Sequence, residues 1–592
     1  MVILLLGAGL PVAVILSWIF DFTPQGIKKT ESLEELEGKE IVTKPIKRKL
    51  RASYVLNAVL IIAVIVLAYP KIFKRNTIEK LRSSGERIAV AVMPFQNMTN
   101  DTTWNVWQDG IQNELIASLT NSEELKVRQT ASITGLLQSK GLTNYASITP
   151  SVASTISQKL DANVFIYGSL KQVGKTIRVN AQLIDSKTEE TFKSFQIDGT
   201  SEDILQMIDS LSVIVKNFLI VTNLKKEVSP DIQYLASTNS PEAYKNFIYG
   251  QKAFSKFDYP SALKFYSQAT SIDSNFTYPI LQMFWAYYNL SLSTYNQGLR
   301  EEAKKWYIKA YEKKDQMTLM QKTIVNSNYA LCFETLYDVI KYLRQTLEID
   351  DQYPDAYESI DTNYVWLHEY DNAIPEYKKA LQIYNKWGVR PFWSITYSGL
   401  GTAYHKTGQY KKEKKLYKKA QQDFPNSPFI IHHQARLAIT EGDTIAANEY
   451  IKKYITLRKE LSWSGARIAS NIAFIYFEEG ILDKAEEYYQ QALLLEPGNP
   501  VVMNDLAYFL IDKDRDLNEG MKLVNKALEL TPEYFNYLHT KGWGLYKQGA
   551  YQEALDMLQK TWDLRKQYGE YNHEAFLHLE AAKKAVANQN NN

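Results

Sequence analysis

The sequence is almost free of cysteine, because Cys332 is the only one in 592 residues. A single thiol excludes an internal disulfide and a zinc site built from several cysteines. Cys332 lies in the apolar run 329–333 (YALCF). We therefore predict a buried side chain that behaves as a small hydrophobic residue, not a reactive thiol.

An excess of charge of one sign is also lacking. Basic residues number 68 and acidic residues 66, which gives a formal net charge of +2 at pH 7. Proteins dedicated to nucleic acids usually carry a clear basic excess. We therefore expect no nucleic-acid partner for this chain.

Complete catalytic and metal-binding motifs are absent as well. Residues 168–176 (GSLKQVGKT) have one residue too many for a phosphate-binding loop, and a strand-like segment follows them instead of a helix. His573 and His578 are five positions apart, whereas the paired zinc ligands of a protease helix are four apart. We predict no metal site, no cofactor and no enzymatic activity. An enzyme of unrecognised type stays open, because catalytic residues can be scattered along a chain.

The sequence does contain a repeated pattern of small residues. Ala485, Gly520 and Ala554 occupy matching positions, 35 and 34 residues apart. A period near 34 is typical of a two-helix repeat. The small residue lets two helices approach closely, and a large residue four positions on, such as Tyr489, fills the space on the same face. One such hairpin cannot bury its apolar face alone, so neighbouring repeats must stack.

This pattern resembles the tetratricopeptide repeat (TPR) family. We count about nine copies between residues 238 and 584, and three of them contain Ala485, Gly520 and Ala554. A helical array of another geometry is the alternative. The other copies lie at 243–276, around Ala303, at 340–347, around Ala373, at 394–426 and around Ala446.

The low-complexity tail, 585–592, is expected to be disordered.

Two uncharged, apolar runs lie near the N-terminus, at residues 2–20 and 53–70. At about 1.5 Å per residue in a helix, each nearly spans the apolar core of a bilayer. We therefore predict transmembrane helices at 1–21 and 52–70. A cleaved signal peptide is the alternative for the first run, although no basic residue precedes it.

The loop between these runs, 22–51, contains eight Lys and Arg residues. The positive-inside rule places this loop in the cytoplasm and the C-terminal domains on the other side of the membrane. Basic residues in the following linker, 71–86, favour the opposite orientation. We predict a location in a bacterial inner membrane, with the C-terminal domains in the periplasm.

Residues 87–222 mix strand-like and helix-like patterns. Residues 88–95 are typical of a buried strand, and 164–170 with 176–184 are typical of a hairpin that turns at Gly174. The segments 88–98, 109–115, 164–169 and 177–185 resemble the TolB-like N-terminal domain family. The resemblance implies a small, non-catalytic α/β module that serves contacts or sensing.

Residues 9–30 are similar to a segment of bacterial membrane proteins that join a cytoplasmic output domain to a TolB-like domain and TPRs. CadC-like regulators and membrane adenylate cyclases are of this kind. More chain commonly precedes the segment in that family, so we expect this chain to be short at its N-terminus. A second function therefore stays open, namely the sensory part of a membrane-bound transcriptional regulator or adenylate cyclase whose output domain is missing.

Together these patterns predict a mainly α fold, a TPR α-solenoid preceded by a small α/β TolB-like domain and two transmembrane helices. By resemblance to TPR proteins, the first helix of each repeat lines a concave groove that binds a protein or peptide partner. The aromatic candidates could equally pack between repeats. The main groove candidates are His405, Arg467, Asp505, His539 and Trp543. Further candidates are Tyr244, Gln251, Phe254, Thr402, Phe474 and Phe509.

Overall fold

The computed structural model describes residues 20–23, 26–29, 86–142, 144–221, 238–294 and 297–590. The chain divides into two compact units, 1–84 and 85–592. The first unit is described by one hairpin, in which β1 (Phe20–Thr23) pairs antiparallel with β2 (Gly26–Lys29) and Phe20 lies opposite Lys29.

The predicted fold class needs a correction, because its two transmembrane helices find no support. Within the described ranges, no helix is long and apolar enough to cross a membrane. At the end of the first predicted helix, Phe20 and Asp21 belong to strand β1 and not to a helix. The remainder of the predicted helices 1–21 and 52–70 lies outside the described residues. The location at an inner membrane remains a prediction.

The second unit begins with an α/β domain built on one mixed sheet. Its strand order is β5-β3-β6-β7-β8, with β4 paired to β6. β3 runs parallel to β5 and β6, whereas β6, β7 and β8 are antiparallel. The elements are β3 (Ile88–Val92), β4 (Gln96–Asn97), α1 (Val106–Thr120), β5 (Leu125–Val127), α2 (Thr130–Ser139), α3 (Pro150–Lys159), β6 (Val164–Val173), β7 (Thr176–Asp185), β8 (Thr191–Gly199) and α4 (Ile204–Val221).

The segment that resembled a phosphate-binding loop is a hairpin. β6 ends at Val173, which pairs with Thr176 at the start of β7. Gly174 lies in the turn with φ +60°, a left-handed conformation that glycine adopts without a steric cost. The predicted turn is therefore confirmed. The resemblance of the whole domain to the TolB-like family remains a prediction.

Antiparallel helix pairs follow the α/β domain. In most pairs, the first helix starts with a proline or with a capping residue, and Pro241 and Pro500 are examples. Proline is well tolerated there, because an N–H in the first turn of a helix has no carbonyl partner within that helix. The pairs are α5 (Pro241–Phe254) with α6 (Tyr259–Ile272), α7 (Thr277–Thr294) with α8 (Gln297–Glu312), α9 (Leu319–Phe333) with α10 (Leu336–Ile349), α11 (Pro354–Trp366) with α12 (Tyr370–Trp387), α13 (Ile395–Lys406) with α14 (Tyr410–Asp423), α15 (Pro428–Thr440) with α16 (Thr444–Glu460), α17 (Gly465–Glu478) with α18 (Leu482–Leu495), α19 (Pro500–Asp512) with α20 (Leu517–Leu530), and α21 (Phe535–Lys547) with α22 (Tyr551–Gln567).

The final helix, α23 (His573–Asn590), covers the last pair. Its buried residues Leu579 and Ala582 pack against Leu558 of α22. The tail that we predicted to be disordered from 585 is therefore helical as far as Asn590. Alanines at 581, 582, 585 and 587 favour the helix, because alanine has the highest helix propensity.

The array closes on itself near its C-terminal end. Arg300 of α8 forms an ion pair with Glu570, which follows α22. Tyr571 packs against the buried cluster that contains Leu336 of α10. The rings of His368 and His573 lie 4.3 Å apart. The segment after α22 therefore contacts repeats up to 270 residues earlier in the chain.

The α/β domain is fixed to the first half of the array. Trp107 of α1 stacks on Tyr244 of α5, with ring centroids 5.5 Å apart. Arg128, which is 2% exposed, donates hydrogen bonds to Asp350 at 2.6 Å and to Asp351 at 2.7 Å. Lys126 adds an ion pair to Asp351 at 2.6 Å. A buried ion pair and a stacked aromatic pair thus connect the two domains.

Candidate functional site

The structure places His405, a predicted groove residue, inside the array. His405 is 8% exposed, and its Nδ1 lies 3.0 Å from a carboxylate oxygen of Glu413. Its Nε2 lies 3.2 Å from Glu479, which also accepts a hydrogen bond from Arg436 at 2.8 Å. Both ring nitrogens thus face carboxylates, an arrangement that only the doubly protonated imidazole satisfies. The network joins repeats five, six and seven.

The surroundings of His405 shift the pKa values of this network. Burial alone would lower the pKa of His405, but the hydrogen bonds and charges of Glu413 and Glu479 outweigh it and raise the pKa to about 9. Burial would raise the pKa of Glu479, but hydrogen bonds from His405 and Thr440 and the charge of Arg436 lower it to about 2. The network is therefore charged at neutral pH.

We expect this network to make the stability of the array depend on pH. The folded pKa of His405 lies above the ordinary value of 6.5, so the stabilisation is complete below pH 6.5 and is lost as pH rises towards 9. The free energy of unfolding should fall by about 1–3 kcal/mol across that window. Denaturant titrations of the full chain and of His405→Gln test this, because the variant should lack the decline. An equal decline in both proteins would contradict the assignment.

His539 and Trp543 are brought together through His578 of the final helix. His539 is 6% exposed, and its Nε2 lies 3.1 Å from Nδ1 of His578. The indole of Trp543 stacks on His578 with centroids 3.6 Å apart and donates a hydrogen bond to Asp512 at 3.1 Å. These side chains join the last repeat to α23. His539 and Trp543 thus make their contacts within the protein, as residues that pack between helices do.

Arg467 and Asp505 lie in separate repeats. Arg467 is exposed at the start of α17, with its guanidinium 3.7 Å from the ring centroid of Trp463. Asp505 is half-buried on α19, where burial raises its pKa to about 7. Of the other candidates, Tyr244 and Phe509 are buried, Gln251 and Thr402 are half-buried and Phe474 is exposed. Phe254 lies in the wall of a cavity among the first repeats.

A cavity of about 760 Å³ lies inside the first repeats. Its volume is typical of sites that hold a ligand or a segment of chain. The first helices of successive pairs, α5, α7, α9 and α11, supply much of its wall, and residues 567–569 close one side. Its aromatic residues are Phe254, Phe257, Tyr259, Phe284, Trp285, Tyr288, Tyr307, Tyr353, Trp366, Trp393 and Tyr568.

An aromatic contact crosses this cavity. Phe257, in the turn after α5, meets Trp393, before α13, with ring centroids 5.7 Å apart. Both side chains are exposed, by 58% and 52%. Phe257 has a φ of +62°, which is rare for a bulky side chain. The corresponding position is Gly408 or Gly480 in two later repeats and His368 or Asp514 in two others. Strained backbone of this kind often occurs where a side chain must be held for binding.

Cys332 also lies in the wall of the cavity. Its side chain is half-buried, and burial raises the pKa of its thiol to about 11. The thiol is therefore mostly protonated at neutral pH. The sequence predicted a buried side chain, whereas the structure leaves this one partly accessible, because it lies in the wall of a cavity.

Of the residues in the cavity wall, the sequence candidates included only Phe254. The weaker copies around Ala303 and 340–347 contribute to the cavity instead. A signal that could have found it is the density of aromatic residues in 284–288, FWAYY, because three of these residues line the cavity.

Comparison with known proteins supports the assignment of the repeats. Residues 396–422, 466–499 and 536–568 match tetratricopeptide repeat models.

Two curated relatives are similar to parts of the chain. "Putative adenylate cyclase 3" of Rhizobium meliloti (strain 1021) is 26% identical over 176 residues, 30% of this chain and 28% of the relative. "TPR repeat-containing protein MJ1428" of Methanocaldococcus jannaschii is 34% identical over 86 residues, 14% of this chain and 15% of the relative. The matches thus span less than a third of either relative.

Solved structures of repeat proteins are also similar. A tetratricopeptide repeat protein from Parabacteroides merdae is 13% identical and covers 45% of this chain and 99% of its own, with a TM-score of 0.29. PilF of Pseudomonas aeruginosa is 16% identical and covers 40% and 98%, with a TM-score of 0.22. The chain therefore contains tetratricopeptide repeats at 396–422, 466–499 and 536–568, within a longer series of stacked helix pairs.

Proposed function

We propose that this chain is a protein-interaction module that holds a segment of a partner protein in the aromatic cavity of its first repeats. The cavity itself carries the proposal. It is concave, it has an apolar and aromatic wall, and the closed array shapes it before any partner arrives. Preformed sites bind well because little conformational entropy is lost on association.

The aromatic wall supplies the kind of contact that dominates protein interfaces. Trp and Tyr are enriched among the residues whose truncation costs most binding energy. Trp285 lies on α7, and Trp393 is 52% exposed beside Phe257. A partner segment that covered these rings would bury apolar surface now open to water. We therefore expect the tryptophans to contribute most of the affinity.

Peptides selected from a random library on the full chain test the proposal. Trp285→Ala and Trp393→Ala should each weaken binding of a selected peptide by about tenfold or more, because truncating a central aromatic typically costs more than 1 kcal/mol. Phe474→Ala is the matched control, since Phe474 is exposed on α17 but lies outside the cavity. Binding that depends on Phe474 and not on the tryptophans would locate the site elsewhere. Failure to enrich any peptide would contradict the proposal.

A second proposal is that the module forms the regulatory part of a longer signalling protein. The similarity to the relative named as an adenylate cyclase supports it. The firm attachment of the α/β domain to the array would let one domain respond to binding in the other. Reading the gene upstream in frame tests the proposal. A winged-helix or cyclase pattern there would support it, and an immediate stop codon would contradict it.

A further inference from the structure

Two carboxylates of α11 lie in the wall of the cavity. Asp355 and Glu358 are three residues apart, so they occupy neighbouring positions on one face of the helix. Each is partly accessible to water. Asp355 also stands in the first turn of α11, where an acidic residue favours the helix dipole. That role does not explain Glu358, which lies one turn further along.

Neither carboxylate has a cationic partner in the part of the chain that the structure describes. Glu358 accepts a hydrogen bond from the Thr396 hydroxyl at 2.7 Å. Burial raises the pKa of Asp355 to about 6. Burial and the neighbouring charge of Asp355 raise the pKa of Glu358 to about 8. Two acids held close together without a counter-charge destabilise each other, and a cation between them would relieve that cost.

The other titratable groups around the cavity are distributed unevenly. Tyr353 lies beside Asp355, and Tyr384 lies beside Glu358. The basic groups are on α8, where Arg300 is paired with Glu570 and Lys304 lines the wall. One side of the cavity therefore has two carboxylates, and another has Lys304 and an Arg300 that Glu570 neutralises. A basic group of a ligand is attracted to the carboxylates of α11 and repelled by Lys304.

Aromatic rings add a second attraction for a cation. Trp366, at the end of α11, is 39% exposed, and Trp393 is 52% exposed. Both belong to the wall that contains the two carboxylates. A cation over the face of a tryptophan ring gains electrostatic energy, and it gains more where water is excluded.

We infer that the cavity recognises a lysine or arginine side chain of the partner segment. Asp355 and Glu358 are its counter-charges, and Trp366 and Trp393 contact its aliphatic stem. This inference rests on the proposed function and specifies the chemistry of the partner. Basic side chains suit such a site, because their stems are apolar and only their ends are charged.

Peptides selected on the full chain provide the test. They should contain a basic residue, and its replacement by norleucine should weaken binding by about 30-fold, since truncating one member of a desolvated charge pair typically has an effect of this size. The double variant Asp355→Asn and Glu358→Gln should bind the basic peptide more weakly by a similar factor. This variant should bind the basic peptide and its norleucine form with similar affinity. Binding of the basic peptide by the unmodified chain should strengthen between pH 6 and 8, as the carboxylates ionise.

Two controls make the result specific. Lys304→Met changes a charge inside the same cavity and should keep the preference for the basic peptide. Glu529→Gln with Asp556→Asn makes the same chemical changes at exposed positions of α20 and α22 and should leave affinity unchanged.

The outcomes separate this inference from the proposed function. Selected peptides that depend on Trp285 and Trp393 but contain no basic residue would overturn the inference and leave the proposed function intact. An equal effect of norleucine on the unmodified chain and on the double variant would also overturn it. Failure to select any peptide would contradict both.

Discussion

Replacing Arg128 with methionine is expected to lower the free energy of unfolding of the α/β domain by about 3–5 kcal/mol, because removal of one member of a buried ion pair leaves an uncompensated charge. The charge left behind is that of Asp350, which is fully buried. Asp350 would keep its hydrogen bonds from the backbone N–H groups of Gln129 and Gln352, both at 3.0 Å. Two backbone N–H groups do not neutralise the charge of this carboxylate as the guanidinium of Arg128 does. The α/β domain should therefore also separate more readily from the array.

The matched control is Lys126→Met. Lys126 pairs with Asp351, but both side chains are about a third exposed, so the pair is screened by water. Its loss should cost less than about 1 kcal/mol. Denaturant titration of the full chain, followed by hydrogen exchange in α1 and α10, measures both effects. Equal and small effects of the two variants would contradict the account of how the domains are joined.

Replacing Gly168 with alanine is expected to destabilise the α/β domain by about 3 kcal/mol, at the upper end of the usual cost of overpacking. A Cβ at this position would lie 2.2 Å from the ring of Phe95 and 2.4 Å from the backbone oxygen of Asn180. Phe95 is completely buried, and Asn180 belongs to the neighbouring strand. Neither group can move without disturbing the sheet.

Gly174→Ala provides the comparison for this variant. A Cβ at Gly174 meets nothing within 4 Å, so the substitution introduces only the strain of a left-handed backbone. That strain costs about 1–2 kcal/mol. The two glycines that suggested a phosphate loop in the sequence thus serve different structural purposes. A larger loss of stability at Gly174 than at Gly168 would contradict this explanation.

The repeats could be predicted from the sequence because their spacing follows from close packing. Ala485 and Ala492 are completely buried and Tyr489 is 5% exposed, as expected for small and large residues on one packed face. The turn at Gly174 was predictable for a similar reason, since it depends on a few adjacent residues. Patterns of this kind are local, and a single sequence displays them.

The site was not predictable in the same way, because it depends on contacts between distant parts of the chain. His405 looked like a groove residue, yet Glu413 and Glu479 enclose it from two directions. One side of the cavity is formed by residues 567–569, and the ion pair between Arg300 and Glu570 connects the adjacent segment to α8. Periodicity along one helix contains no information about such a closure.

Occupation of the aromatic cavity by a partner segment can be tested directly through the single cysteine. Cys332 lies in the cavity wall, and burial keeps most of its thiol protonated. Its slow alkylation by excess iodoacetamide at about pH 8, followed over hours by intact mass, therefore reports on access to the cavity. We predict that a saturating selected peptide slows alkylation of Cys332 by about tenfold or more, since a bound segment excludes reagent from the wall. An alkylation rate that does not change when the peptide is bound would contradict the account.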